Sequence, residues 1–222
     1  MDVALHAPVV ARIGPLALTT PVVTTWAVMG ALGLGAWLAR RRQNDTVGRW
    51  ASAVEIVLTA IEDHLSQTMH CDARPYVPLL ATLFLFLLTA NLSGVVPGVV
   101  PPTAYIETAA ALALVVLGST HWYGMRRRGL RGHLATYLEP RWWMLPLNVL
   151  GEITRTFSLM VRLFGNVMSG HLVIAIVLTL AGLLVPVPLM LLEVLTGAVQ
   201  AYIFTVLSAV FIGAAIGSVE SG

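Results

Sequence analysis

Six ionisable side chains stand inside long apolar stretches of this 222-residue sequence. A charge at the centre of a bilayer costs at least about 3 kcal/mol, so such groups usually face a partner, a water-filled cavity or an ion path. The sequence therefore predicts a protein that moves ions across a membrane. The six candidate residues are Glu107, Glu152, Arg155, Arg162, His171 and Glu193.

Two interpretations of Glu152 and Arg155 stay open, because the two residues are one helical turn apart. They could form a structural ion pair, or Glu152 could be a ligand of the ion. Arg162 has no acidic residue three or four positions away on either side, so an ion pair within one helix does not explain it. Its guanidinium keeps its charge at any accessible pH.

Helical periodicity divides these residues between two sides of one helix. At about 100° per residue, Arg155, Arg162, Asn166 and Ser169 share a single stripe. His171, nine positions after Arg162, points to the opposite side. The pattern predicts a helix with two functional faces.

The last apolar stretch carries a second polar stripe, because Glu193 and Gln200 are seven residues apart. An antiparallel pairing around the proline turn at 186–188 would bring His171 near Glu193 and Gln200 near Arg162. The sequence leaves the register of that pairing open.

Composition excludes a soluble enzyme. Hydrophobic residues make up 57% of the chain and charged residues 11%, against about 45–50% and about 25% in soluble domains. The net charge of +2 implies no nucleic-acid partner. Cys71 is the single cysteine and cannot form an internal disulfide, and the group His64, His70, Cys71 and Asp72 is too irregularly spaced for a metal site. We expect neither a metal nor a cofactor.

Apolar runs of about 20 residues are long enough to cross the hydrocarbon core. We predict an all-α integral membrane protein that forms one domain over residues 1–222, with five spans and one amphipathic interfacial helix. At about 1.5 Å per residue, the fourth span is about twice the thickness of the hydrocarbon core, so we expect the last two helices to be long and tilted. The spans are 20–39, 77–96, 103–123, 142–184 and 188–216, and the interfacial helix is 47–69.

Arginine counting predicts the orientation, because cytoplasmic loops carry the excess of basic residues. Five arginines lie between the first two spans and five between the third and fourth, whereas the other two connections contain none. The N-terminus is therefore expected outside and the C-terminus in the cytoplasm.

Several sequence blocks resemble subunit a of the F-type ATP synthases. The block Arg-Leu-Phe-Gly-Asn at 162–166 is highly specific to that family, and it continues through His171. The stretches 91–94, 140–148 and 200–204 and the hydropathy order agree, so the resemblance covers most of the chain.

The resemblance implies a stator channel that faces a rotating ring of c subunits, with b-type subunits as the peripheral stalk. Ions, either H⁺ or Na⁺, would cross a bacterial plasma membrane through two half-channels, and ATP chemistry would lie in other subunits. By position, Arg162 matches the essential arginine, Asn166 the motif asparagine and Gln200 the glutamine of the last helix. His171 and Glu193 match a histidine and acid pair that lines the ion path.

Two acidic residues depart from the family pattern. The acid usually found fourteen residues before the arginine is Asn148 here, whereas Glu152 stands ten before it. This one-turn shift resembles the variant bacterial N-type ATPases. Glu107 occupies a position where many relatives have a neutral polar residue.

Two other classes of membrane protein would also place charged or histidine residues inside spans. An ion-coupled secondary transporter would also bury charges, but it would be expected to show internal repeats, and none is visible. A haem-binding or quinone-binding subunit would be expected to contain paired histidines inside spans, yet only His171 lies deep in one. Asn91 and Ser93 could either satisfy backbone groups at a helix end or contribute to the outer half-channel.

Overall fold

The computed structural model describes residues 9–13, 16–42, 59, 61–69, 71–95, 100–138, 143, 145–182 and 185–217. Helices dominate these residues, and a short antiparallel hairpin precedes the first of them. In chain order the elements are β1 (Val9–Ile13), β2 (Leu16–Thr19), α1 (Thr20–Arg42), α2 (residues 61–69), α3 (Val77–Leu92), α4 (Ile106–Leu138), α5 (Leu145–Ala181) and α6 (Val187–Ile216). Two 3₁₀ turns, Ser93–Val95 and Pro102–Ala104, lie between α3 and α4.

The prediction of an all-α integral membrane protein is confirmed. By length and composition, three helical stretches could cross a membrane, namely Thr20–Leu38, Leu145–Leu180 and Val187–Ile216. The apolar helix α3 is shorter, with 16 residues. The small hairpin before α1 was not predicted, and the assignment of five spans stays a prediction.

Prolines and glycines set several of the helix ends. A proline stands in the first turn of both α3 and α6, where its missing N–H leaves no hydrogen bond unmade. Gly217 ends α6 with φ +80°, and Gly182 follows α5 with φ +76°. Both residues adopt the left-handed conformation that glycine reaches without a steric penalty.

The helices differ in length from the predicted segments. α4 continues past the predicted end at 123 to Leu138, with a kink at Gly129, where φ is 73°. α5 has 37 residues and α6 has 30, so both are long. Most of the predicted interfacial helix 47–69 lies outside the described residues, as do 96, 142, 144 and 183–184.

The main apolar core joins α3, α4, α5 and α6. Small residues on α4 and α6 let the helix backbones approach closely, which is the usual basis of helix packing in membranes. A second cluster packs α2 and the start of α3 against the C-terminal turns of α6. The buried residues of the main core are Leu83, Leu87, Ala109, Ala113, Val116, Leu159, Leu163, Val167, Ala201 and Phe204.

Candidate ion-translocation site

Helix α5 buries one side and leaves another uncovered by the described helices. Leu159, Leu163 and Val167 are buried in the main core. Arg155, Arg162 and Ser169 of the polar stripe are exposed, and its fourth member, Asn166, is half-buried. The position of a residue around the helix axis therefore separates a face that packs in the core from a face that the described helices leave uncovered.

Arg162 lies on the uncovered face of α5, away from the acidic side chains that the structure describes. Among the described residues, it forms neither a salt bridge nor a side-chain hydrogen bond. An unpaired guanidinium in an apolar helix is costly. Its charge is therefore available to a group outside this chain.

The structural ion pair between Glu152 and Arg155 is not present within the described residues. The guanidinium carbon of Arg155 instead lies 5.6 Å from the centre of the Phe211 ring, on α6, within the range of a cation–π contact. Glu152 is half-buried and makes no described side-chain contact of its own. Among the described residues, its carboxylate has no ion-pair or hydrogen-bond partner.

His171 and Glu193 are brought together between α5 and α6. The distance from His171 Nε2 to Glu193 Oε1 is 3.8 Å, and their side chains are 25% and 15% exposed. This distance is within ion-pair range but longer than a hydrogen bond. His171 Nε2 is buried and has no hydrogen-bond partner among the described residues. Of the pairings that the sequence left open, the structure contains this one.

Two glycines make room for this pair. A Cβ atom on Gly170 would lie 3.0 Å from Glu193 Oε1, and a Cβ atom on Gly94 would lie 2.9 Å from His171 Nε2. Both distances are shorter than ordinary van der Waals contacts. Glycine therefore lets the backbones of α5 and of the turn after α3 approach the two side chains.

Gln200 and Arg162 are not hydrogen-bonded to each other. Gln200 is 5% exposed, and its amide nitrogen has no partner among the described residues. Leaving a buried donor unpaired costs about 1–3 kcal/mol, so we expect this amide to donate a hydrogen bond to a group other than the described residues. Asn166 is half-buried on α5, and its backbone carbonyl accepts a hydrogen bond from Ser169 Oγ at 3.0 Å.

Glu107 lies apart from the other candidates, exposed in the first turn of α4. A carboxylate at that position is stabilised by the helix dipole, which provides a structural reason for the residue. The structure does not bring Glu107 into contact with the His171 and Glu193 pair.

The two residues at the end of α3 differ in what they contact. Ser93 Oγ donates to Ala90 O at 2.6 Å, which satisfies a backbone group of its own helix. Asn91 Nδ2 donates to Gly197 O on α6 at 2.9 Å, and Thr103 Oγ1 donates to Asn91 Oδ1 at 2.8 Å. Asn91 therefore joins separate parts of the fold.

Thr103 and Gly197 contact Asn91 at the site, and neither was predicted from the sequence. An isolated glycine inside an apolar helix is a signal of close packing, so Gly197 could have been singled out. No local pattern distinguishes Thr103 from the other threonines. Its contact with Asn91 depends on how the chain turns between α3 and α4.

The apolar cleft of about 500 Å³ between α1, α3 and α4 contains none of the candidate residues. Thr82, one of its lining residues, satisfies its hydroxyl on backbone carbonyls of its own helix. The polar groups lie instead along α5 and α6. His70, one of the irregularly spaced group His64, His70, Cys71 and Asp72, lies outside the described residues.

Comparison with known proteins matches nearly the whole chain to one family model, described as ATP synthase A chain, over residues 22–213. The chain is 57% identical over 211 residues to ATP synthase subunit a 2 of a Bradyrhizobium species, covering 95% of both proteins. It is 48% identical over 204 residues to ATP synthase subunit a 1 of Chlorobaculum parvum, covering 91% of this chain and 90% of that protein. A third relative, ATP synthase subunit a 2 of Pelobacter propionicus, is 47% identical over 210 residues, covering 95% of this chain and 92% of that protein.

Proposed function

The chain belongs to the ATP synthase subunit a family and is a membrane-sector subunit of an F-type ATP synthase, and we propose that it forms the two ion half-channels that face the c ring. Each half-channel opens to one side of the membrane and exchanges an ion with a carboxylate on the ring. Ion flow then drives rotation, or rotation driven by ATP hydrolysis pumps the ion. ATP itself is handled by other subunits.

The observation that carries this proposal is the uncovered polar face of α5 with Arg162 on it. A permanent cation that has no counter-charge among the described residues can stabilise a ring carboxylate that has released its ion. The same cation repels an ion that would otherwise pass directly from one half-channel to the other. Arg162 therefore separates the two paths and keeps ion flow tied to rotation.

The remaining candidates are assigned to the paths on either side of Arg162. His171 and Glu193, 3.8 Å apart, line the half-channel nearer the turn between α5 and α6. Glu152, near the other end of α5, serves the opposite half-channel, with Arg155 close by. Asn166 and the unpaired amide of Gln200 lie at intermediate levels of the two helices, and Glu107 is the outermost candidate.

The partners follow from the same assignment. We expect a c-subunit ring against the uncovered face of α5, b-type stalk subunits and the lipid bilayer of a bacterial plasma membrane. The transported ion is H⁺ or Na⁺, and the ring carboxylate site decides between them. The N-terminus lies outside and the C-terminus in the cytoplasm.

Cysteine cross-linking to the ring tests which face of α5 meets it. Ser158 and Ser169 are exposed on the same side of the helix as Arg162, whereas Ile153 is exposed on the other side. In a Cys71→Ser background, we expect Ser158→Cys and Ser169→Cys to cross-link to a cysteine placed on the outer helix of the c subunit.

Ile153→Cys is the matched control, since it tests an exposed position that should face away from the ring. Cross-linking of Ile153→Cys as efficient as that of the two serine positions would contradict the proposed orientation. Failure of the chain to purify with a c ring would contradict the proposed contact between α5 and the ring.

A further inference from the structure

We propose that Asn91, Thr103 and Gly197, hereafter the junction, position His171 and Glu193 relative to each other and so set how tightly this half-channel holds its ion. Asn91 and Thr103 are positioning residues, because they act through the pair and do not bind the ion themselves. The inference rests on the proposed function, since it requires the pair to line the ion path.

The amide of Asn91 is fixed at both ends. Its nitrogen donates to Gly197 O at 2.9 Å, and its oxygen accepts from Thr103 Oγ1 at 2.8 Å. Because a backbone carbonyl can only accept, the amide nitrogen must face Gly197, and the opposite orientation of the amide would lose that bond. Asn91 is 8% exposed and Thr103 is fully buried, so water does not compete for these bonds.

The junction is hydrogen-bonded to α6 in the middle of its polar stripe. Gly197 stands four residues after Glu193 and three before Gln200, so all three lie on one side of the helix, one turn apart. The hydrogen bond from Asn91 therefore fixes the level and rotation of α6 one turn from Glu193. Its partner comes from 106 positions earlier in the chain, so the bond defines tertiary structure.

Gly197 makes this close approach possible. A Cβ atom at position 197 would lie 2.9 Å from Asn91 Cβ, a distance that real Cβ atoms essentially never show. A larger residue would push α3 away from α6 and stretch the hydrogen bond. The glycine and the asparagine therefore act as one unit.

The same end of α3 also contacts the other member of the pair. Gly94, in the turn that follows Asn91, faces His171 so closely that a Cβ atom would lie 2.9 Å from Nε2 and 3.1 Å from Pro101 Cγ. This segment thus holds α6 beside Glu193 and packs against His171 on α5. The spacing of the pair is set by a segment that belongs to neither of the two helices carrying it.

Small movements matter at this spacing. The 3.8 Å between His171 Nε2 and Glu193 Oε1 exceeds a hydrogen bond by less than 1 Å. Functional sites need their groups held to within about 0.5 Å of the productive geometry. Loosening the junction is therefore expected to change ion binding before it prevents assembly.

Thr103→Val tests the proposal in the complete ATP synthase, because it removes the hydroxyl and keeps the shape. The measurement is ATP-driven ion uptake by inverted membrane vesicles, with protons and Na⁺ as the two probes. Loss of a buried hydrogen bond corresponds to roughly a fivefold change in an equilibrium constant. We expect the ion concentration for half-maximal transport to rise by about three- to tenfold at unchanged subunit content, and Thr103→Ser to restore the original value.

Thr120→Val is the matched control, since Thr120 is also buried but donates only to Val116 O of its own helix, at 2.9 Å. Gly94→Ala gives a second, independent test, because it displaces His171 without removing a hydrogen bond. Its control is Gly118→Ala, where a Cβ atom meets nothing within 4 Å.

A shift in ion dependence with Thr103→Val but not with Thr120→Val supports the junction. If the two assembled variants behave alike, the proposal is wrong. If Thr103→Val does not assemble, Gly94→Ala is the deciding variant. A larger shift in ion dependence with Gly94→Ala than with Gly118→Ala supports the proposal, and the absence of such a shift overturns it.

His171→Leu, measured alongside, separates the failure of this inference from the failure of the proposed function. A transport defect in His171→Leu without one in Thr103→Val overturns the junction alone. An unchanged ion dependence in His171→Leu removes the pair from the ion path, and the junction proposal falls with it.

Discussion

His171 on α5 and Glu193 on α6 approach each other to 3.8 Å, from positions 22 residues apart on either side of the turn that joins the two helices. The approach requires both helices, because each of them carries only one of the two residues. The contact between the two side chains depends on the register of the hairpin that α5 and α6 form. It places a basic and an acidic group next to each other in the proposed ion path.

The first prediction concerns this pair. His171→Leu and Glu193→Leu should each slow ATP-driven transport by about a hundredfold or more, because each removes a group that relays or coordinates the ion. The measurement is the transport rate per assembled subunit. Exchanging the two residues should recover part of the rate, since the same two groups then occupy the same site. Full activity in His171→Leu, with ring and soluble head intact, would remove the residue from the path.

The second prediction concerns Glu152. Because Glu152 forms no salt bridge with Arg155 within the described residues, we expect Glu152→Gln to assemble normally and to lose transport. The deficit should be eased by raising the ion concentration on one side of the membrane only. Subunit content and one-sided ion dependence are the two readouts.

Arg155 provides the control for that result. A structural partner of Glu152 would behave differently, because Glu152→Gln would then lower assembly and a second, neutralising change at Arg155 would restore it. Rescue of both assembly and transport by Arg155→Gln would show that Glu152 is not an ion ligand.

The third prediction is structural and concerns the end of α6. Gly217 has φ +80°, and a Cβ atom there would collide with the Arg128 guanidinium, which lies against this helix end. Gly217→Ala should therefore lower stability by roughly 1–2 kcal/mol from backbone strain, and should also displace a cation from the negative end of the helix dipole.

The thermal denaturation midpoint of the purified complex measures this effect. Gly118→Ala is the matched control, since it lies inside a helix with open space around it and should be neutral or slightly stabilising. Equal midpoints for Gly217→Ala and the unmodified protein would contradict the role assigned to this glycine.

Much of the fold could be predicted from the sequence because apolar runs and helical periodicity report directly on membrane helices. The stripe of Arg155, Arg162 and Ser169 on one side of α5 follows from 3.6 residues per turn, and all three are exposed there. The continuation of α4 past 123 was missed, because a surface helix rich in arginine has no hydropathy signal.

The junction could not be predicted, because it depends on three segments meeting. Asn91 and Gly197 are 106 positions apart, and the chain carries no local pattern that links them. The pairing of His171 with Glu193 was visible only as one of several possible registers. In the structure that register coincides with close packing of Asn91 against Gly197 and of Gly94 against His171, contacts that no local sequence pattern reveals.

The fourth prediction concerns the kind of cation at position 162. Arg162→Lys should assemble but lose nearly all transport. In the proposed contact with the ring, an ammonium at this position becomes buried, gives up its proton readily and is a compact point charge, whereas guanidinium stays charged and presents several donors. Transport by this variant is compared at several pH values with subunit content held equal. Near-normal coupling in Arg162→Lys would show that only the sign of the charge matters.

ATP-driven ion transport by vesicles that carry Arg162→Ala tests the central claim most directly. Arg162 is exposed on α5 and has no salt bridge among the described residues. In the proposed function, its charge separates the two half-channels. We predict that the variant subunit is inserted and assembled with the ring while ATP-driven transport is abolished. Normal transport in such vesicles would contradict the account.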